Sequence, residues 1–346
     1  MGTIDAGPGV APMKRTGSFL IVTWDGGGNV PPAMALGARL VRAGHRVRLL
    51  GPATVADAAT ASGLEWVPYR TVAPWPEGLA LDDDWDRLMG ILNGRAMIDD
   101  VIAEVREDAP DVLVVDCLMG AALAAAEHLD LPTAVLVHVL YQPFAEDWGH
   151  QVLDVVEPRI ALGLEPVDGS SVREALGRTQ RVLALTPPGF DFPIAELPAN
   201  TAYVGPIVHP DPPSADFDIG RVASHEGRRI LISLSTTLQG QREALPSILD
   251  AMARLPVRGL LTLGGVPMLG SLQAPPNVDV YDYVPHAAAL PHVSAVVCHG
   301  GLSTVMSALT HGVPLVCIPQ GREQPLNAER VRSCGVGLTV SADAPP

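Results

Sequence analysis

A histidine, two glycines and two hydroxyls stand close together at His299-Gly300-Gly301 and Ser303-Thr304, between the apolar run Ala295 to Cys298 and a segment of helical periodicity. The spacing predicts a buried strand, a glycine turn and a helix N-terminus. The first amides of a helix have no acceptor within it and lie at the positive end of its dipole, so glycines there let an anion approach the backbone. The chemistry this suits is holding a phosphate. A second group, Asp25, Gly26-Gly27-Gly28 and Asn29, follows the apolar run Phe19 to Trp24, and Asp116 closes the run VVD. Carboxylates at strand ends are candidates for proton transfer, although Asp25 equally suits a turn residue capping its own backbone.

These residues need strands to carry them. Phe19 to Trp24 reads as a strand, followed by a helix entered through Pro31-Pro32 and closed by Gly44, and by a strand at His45 to Leu50. Further βα units follow: helix 55 to 62, strand 65 to 67, helix 85 to 107, strand 112 to 116, a helix to Leu129 and strand 134 to 137. Alternating units of this kind imply an α/β fold with parallel sheets, whose ligands collect at the carboxyl ends of the strands. Two irregular stretches, Tyr69 to Asp84 and Leu140 to Pro166, hold or border Trp75, Trp85, Tyr141, Phe144 and Trp148. They form either an apolar pocket or loops pinned to their own core. Residues 1–17 are expected to be a mobile tail, 18–205 a first domain, the proline-rich 206–227 a linker, and 228–346 a second domain. Asp82-Asp83-Asp84 is expected to be a solvated acidic loop, and no metal is expected.

Composition excludes some partners. With 23 basic and 38 acidic side chains, the net charge of −15 argues against a nucleic acid. No run approaches the ~20 apolar residues of a membrane span, and the start lacks the pattern of a secretory leader. The four cysteines have no CxxC spacing, so a cytoplasmic chain with neither disulfides nor zinc is expected.

The run HGGLST, then GVPLV, then PQGREQPLNA, resembles the donor-binding signature of nucleotide-sugar glycosyltransferases related to plant UDP-glycosyltransferases and to the bacterial antibiotic (macrolide, enediyne) glycosyltransferases. The resemblance covers roughly residues 18 to 340, and is strongest after 280. It implies two Rossmann-like domains facing a cleft, the arrangement called GT-B. By it, His299, Ser303 and Thr304 on the Gly300-Gly301 turn bind the donor diphosphate, helped by Ser235 at the end of the strand Arg229 to Leu234. Glu323 and Gln324 bind sugar hydroxyls, and Tyr283 or the backbone of Val284 faces the base. His299 and the helix dipole supply the positive potential. The implied co-substrate is a dTDP- or UDP-sugar, with no other cofactor, and the acceptor is a small apolar molecule. A homodimer is compatible with it.

Three departures stand out. Plant relatives place a ribose-binding glutamate where this chain has Ser307, which tilts the donor toward dTDP. Members that activate an alcohol carry a histidine in G-H-x-x-P, backed by an aspartate after the fourth strand. Here Asp116 matches the aspartate, but Asn29 takes the histidine's position, and a carboxamide cannot accept a proton at neutral pH. Asp116 or Asp25 then acts directly, the acceptor is acidic or carbon-centred, or the chain binds without transferring. Third, relatives continue past the strand Gly337 to Val340 with helices, whereas this sequence ends at Ala344-Pro345-Pro346. The expected function is inverting, metal-independent sugar transfer. A noncatalytic nucleotide-sugar-binding or partner-activating homologue is the alternative, and a hydrolysing sugar epimerase a weaker one.

Overall fold

Two all-parallel sheets carry the chain. The computed structural model describes residues 16–341 except 77, 81–82, 166, 168–170, 208–216, 225–226, 235–240 and 265–272. Ser235, Asp82, the last five residues and most of the expected tail and linker therefore lie outside the described residues.

The first sheet has seven strands: β1 (Ser18–Val22), β2 (Arg46–Gly51), β3 (Glu65–Pro68), β4 (Val112–Asp116), β5 (Thr133–Val137), β6 (Arg181–Ala184) and β7 (Thr201–Tyr203). Their order is β3-β2-β1-β4-β5-β6-β7. Strands buried on both faces must be apolar at every position, and the LIV and VLVV runs of β1 and β4 meet that demand. Alternate side chains feed opposite layers. Leu20, Val22, Leu113 and Val115 pack with the helices Trp85–Asn93 and Arg95–Glu107 on one side, while Ile21 and Val114 join Leu49 and Leu136 on the other. Ile21 is in register with both Leu49 and Val114.

The second sheet has six strands: β8 (Arg229–Ser233), β9 (Arg258–Thr262), β10 (Val278–Tyr281), β11 (Ala295–Cys298), β12 (Leu315–Cys317) and β13 (Gly337–Thr339). They are ordered β10-β9-β8-β11-β12-β13. In each sheet the order reverses beside its first strand, between β1 and β4 and between β8 and β11. Loops at the carboxyl ends diverge at such a point and leave a crevice.

Two elements differ from expectation. The helix expected over 85 to 107 is broken at Gly94, whose backbone is extended (φ −80, ψ 163) between two helices. Asp84 caps the first of these, accepting from the Arg87 amide at 3.0 Å. That contact gives the end of the acidic triplet a structural use. Part of the irregular stretch after Leu140 is a series of short helical turns, Tyr141–Pro143, Phe144–Trp148, Gly149–Gln151 and Glu157–Ala161.

The halves also share a core. Leu140 and Phe190, from the first half of the chain, are buried among Leu302, Val305 and Ala328 of the second. Arg330, on the helix Gln324–Ser333, donates from Nε to the Phe190 carbonyl at 2.9 Å, and its guanidinium lies 5.1 Å from the Phe192 ring centroid. Among the described residues, no helix is long and apolar enough to cross a membrane.

Candidate functional site

A single cleft of ≈530 Å³ receives residues from both sheets. On the second-sheet side, the turn after β11 leads directly into the helix Leu302–Thr310. Gly300 holds a left-handed backbone (φ +88), the region an L side chain rarely enters, and its carbonyl accepts from Asn327 Nδ2 at 2.9 Å. A Cβ on Gly301 would lie 2.4 Å from His299 Nε2, so the second position must also be bare. The helix starts without a side-chain cap and without an acidic residue in its first turn. Its leading end therefore meets the cleft with its positive potential unopposed.

His299, Gly301, Ser303, Thr304, Tyr283, Glu323 and Gln324 all line this cleft. Gln324 is buried, and its Oε1 accepts from the Gln320 amide at 2.8 Å, which tightens the loop before it. His299 Nδ1 is buried without a hydrogen-bond partner. Burial pushes the imidazole down to about 4, with Arg322 and His286 adding to the effect against a backbone contact at Ser233. The ring is thus neutral at pH 7. This corrects the expectation that His299 supplies positive charge; the helix dipole and the Arg322 guanidinium, which also lines the cleft, do so, and the ring offers an N–H donor or a lone pair. Two further expectations change. Val284 is fully buried, its amide donates to Thr262 Oγ1 at 3.1 Å, and it does not line the cleft, which leaves Tyr283 to face a base. Gly300 shapes the turn and lies behind the lining. A donor-side group not anticipated is Ser233, whose Oγ lies 2.9 Å from His286 Nε2; both line the cleft.

The opposite wall comes from the first sheet. Trp24, Trp85, Leu88, Leu92, Leu118, Val139 and Trp148 make it apolar, so Trp85 and Trp148 border a pocket, whereas Trp75, Tyr141 and Phe144 pack into the core. Trp148 also stacks edge-on against Phe144 at 5.3 Å, so both earlier readings of these aromatics hold in part.

At the base of this wall the ends of β1, β4 and β5 meet, as neighbours in the sheet. Asn29 is buried at the edge of the cleft it helps to line, and both ends of its amide are bonded. Nδ2 donates to Asp116 Oδ2 (2.9 Å), the Trp24 carbonyl (2.8 Å) and Thr23 Oγ1 (3.2 Å), while Oδ1 accepts from the Gly26 amide (3.0 Å). Asp116 is buried behind it and accepts a second contact at Oδ1 from the Leu118 amide, 3.0 Å. The third partner is His138, just past β5, whose Nε2 lies 3.2 Å from Asp116 Oδ1. Burial alone would raise the Asp116 carboxyl, but the His138 charge and the hydrogen bonds of His138, Leu118 and Asn29 hold it below its ordinary value. Burial likewise pulls His138 down, and the Asp116 carboxylate overrides it, holding the imidazole well above 6.5.

Neither Asp116 nor Asp25 lines the cleft, whereas His138 does. Asp25 is exposed and accepts from the Gly27 amide at 3.3 Å, the ordinary behaviour of a turn residue. His138 went unremarked in the sequence because it sits within the apolar run VLVHVL; the available signal was its place just past a strand beside β4. One oxygen of Asp116, the sulfur of Cys117 and one ring nitrogen of His138 lie within 4.8 Å of one another, the single such group among the described residues. Asp116 is already surrounded by hydrogen-bond donors, so a carboxylate–imidazole pair accounts for the arrangement without a cation.

Residues 230–345 match the family described as erythromycin biosynthesis protein CIII-like, C-terminal domain. The chain is 26% identical to 4'-demethylrebeccamycin synthase of Lentzea aerocolonigenes over 372 residues, which cover 92% of this chain and 86% of that protein. The solved glycotransferase of kitacinnamycin superposes with a TM-score of 0.76 at 26% identity, over 96% of this chain and 88% of the other. The glycosyltransferase VinC, solved in complex with dTDP, gives 0.69 at 22% identity over 94% of this chain and 87% of that one, a likeness of fold.

Proposed function

We propose that this chain, whose residues 230–345 match the EryCIII-like C-terminal domain and which is similar over most of its length to glycosyltransferases of natural-product biosynthesis, moves a sugar from a dTDP- or UDP-sugar to a small apolar acceptor, with inversion and without a metal. One observation carries this reading: a single cleft has an uncapped helix N-terminus with His299, Ser303 and Thr304 on one wall and Trp24, Trp85 and Trp148 on the other. A diphosphate against the first wall meets backbone N–H groups, two hydroxyls and a neutral imidazole N–H, which stabilise the negative charge that grows as it leaves. Glu323 and Gln324 lie near enough on the same wall to bind sugar hydroxyls, and Tyr283 to stack on the base. An acceptor on the aromatic wall would attack the anomeric carbon from the face opposite the diphosphate, which gives inversion.

A dTDP donor is favoured over a UDP donor because Ser307 cannot hold two ribose hydroxyls as a glutamate would. The dTDP complex of the structurally similar VinC is in keeping with this. The test is titration calorimetry with dTDP and UDP, followed by incubation with mixed dTDP- and UDP-sugars and mass spectrometry for released diphosphate. Failure of both nucleotides to bind would remove the proposal. Tight binding without release, across a broad acceptor panel, would transfer it to the noncatalytic alternative, which a carboxamide at position 29 favours.

A further inference from the structure

The position that should hold a proton acceptor holds a carboxamide, which cannot take up a proton at neutral pH, and the carboxylate behind it does not line the cleft. One titratable group both touches that carboxylate and lines the cleft. We propose that His138 is the proton acceptor of the transfer reaction, positioned by Asp116, and that Asn29 has become a structural clamp on the turn that the usual base would occupy. The proposal rests on the sugar-transfer reading.

The geometry supports each part. β1, β4 and β5 are adjacent in the order of the first sheet, so a base moved from the end of β1 to the end of β5 still flanks the carboxylate at the end of β4. Asp116 Oδ2 takes the Asn29 amide and Oδ1 takes His138 Nε2, so one carboxylate holds both neighbours at 2.9 and 3.2 Å. With Nε2–H donated to Asp116, the proton-accepting atom of the neutral ring is Nδ1. His138 lines the main cleft with Trp24 and Trp148, and it also lines a side pocket shared with Ser303, His286 and Ser307 of the donor wall. An acceptor between these walls therefore lies between His138 and the helix N-terminus that receives the leaving group.

In the step, the acceptor O–H proton passes to Nδ1 of His138 while the acceptor oxygen bonds to the anomeric carbon. The bond from that carbon to the diphosphate oxygen breaks, and its electron pair leaves on the diphosphate. The proton is then lost to water. The groups facing the ring are Asp116 and Cys117 at the end of β4 and His286 across the side pocket. The carboxylate dominates and keeps the imidazole protonated above its ordinary range, so the neutral, competent form grows with rising pH.

The experiment uses the full chain, dTDP-glucose as donor, and two apolar acceptors of similar shape and different acidity, 2-naphthol and 2-naphthalenemethanol. In His138→Gln, dTDP affinity by calorimetry should change far less than transfer to the alcohol, because His138 sits on the first-sheet side of the pocket it shares with Ser303. Transfer to the alcohol should fall by roughly 10² to 10⁴-fold, the range of a general base. Transfer to the naphthol, which ionises more readily, should fall far less. The unmodified chain should show kcat/KM for the alcohol rising with pH above neutrality, and the variant should lack that rise. Full transfer to the alcohol by the variant, or an equal loss on both acceptors with the pH profile intact, overturns the assignment and leaves sugar transfer standing. Should the variant fail to fold, the absence of a rising limb in the unmodified chain also overturns it. A chain that binds dTDP and transfers to neither these acceptors nor any in the broad panel with mixed dTDP- and UDP-sugars refutes sugar transfer, and the assignment falls with it.

Discussion

Replacing Asn29 by Ala tests whether this side chain is a clamp. The substitution removes both ends of a buried amide. The Asp116 carboxylate loses a donor 2.9 Å from Oδ2, the Gly26 amide loses its acceptor at 3.0 Å, and the Trp24 carbonyl loses a donor at 2.8 Å. A hydrogen bond to a charged group is worth about 1.5 to 3 kcal/mol and a neutral one about 1. The sum is about 3 to 5 kcal/mol, with the lower end expected if water enters the space left behind. All five tryptophans, at 24, 66, 75, 85 and 148, lie in the part of the chain that builds the first sheet, so their fluorescence reports its unfolding separately from the second. In urea, the fluorescence transition of Asn29→Ala should shift by the full amount while dTDP binding persists. A loss below about 1 kcal/mol would show that the turn holds itself without Asn29, and the clamp would have to be abandoned.

Four further outcomes are expected. Gly301→Ala pushes a methyl into the His299 ring, so dTDP affinity by calorimetry should drop at least about tenfold, or about 1.4 kcal/mol, with little change in the first-sheet transition. Thr304→Ala should cost about 1 to 2 kcal/mol of nucleotide affinity, the scale of one hydrogen bond to a charged group, and unchanged binding would sink the phosphate role. Calorimetry should find dTDP bound at least as tightly as UDP; a preference for UDP that 2′-deoxy-UDP loses would show another residue reading the ribose. Finally, the His138–Asp116 pair makes stability depend on pH. His138 is raised above 6.5, so its contribution is complete below 6.5 and is lost as pH climbs through the folded value; Asp116 is lowered from 3.8, so its contribution is present above 3.8 and is lost as pH falls through the folded value. The urea midpoint should decline above pH 6.5, and His138→Gln should flatten that decline.

That the second-sheet motif residues share one wall of the cleft was largely readable because their spacing is local. His299, Gly301, Ser303 and Thr304 lie within one turn, Glu323 and Gln324 one βα unit later, and each motif residue needs only its neighbours to reach the cleft. The strands were readable for a similar reason, since a parallel strand covered on both faces must be apolar throughout. The proton-transfer end was not. Asn29, Asp116 and His138 are brought together by the order β1-β4-β5, and nothing in the local pattern of VLVHVL separates a cleft histidine from a core one. Asn29 could be recognised as a departure, but only its four partners show that the amide is tied to the turn and to Asp116 at once. Gly94 was overlooked because the apolar periodicity on either side continues across it.

The ring of Phe192 beneath Arg330 and the burial of Phe190 in the second core bear on how the cleft opens. A linker alone would let the two sheets swing in any direction. With Arg330 fixed to the Phe190 carbonyl at 2.9 Å and Phe190 among the second domain's buried residues, one edge of the pair is stitched. Relative rotation that preserves the stitch has its axis there, and the two walls then part like covers from a spine. A given angle at the spine separates points on the two walls in proportion to their distance from it. Product release is then a matter of leverage, and cutting the stitch with Arg330→Ala would free the axis while leaving both walls chemically whole.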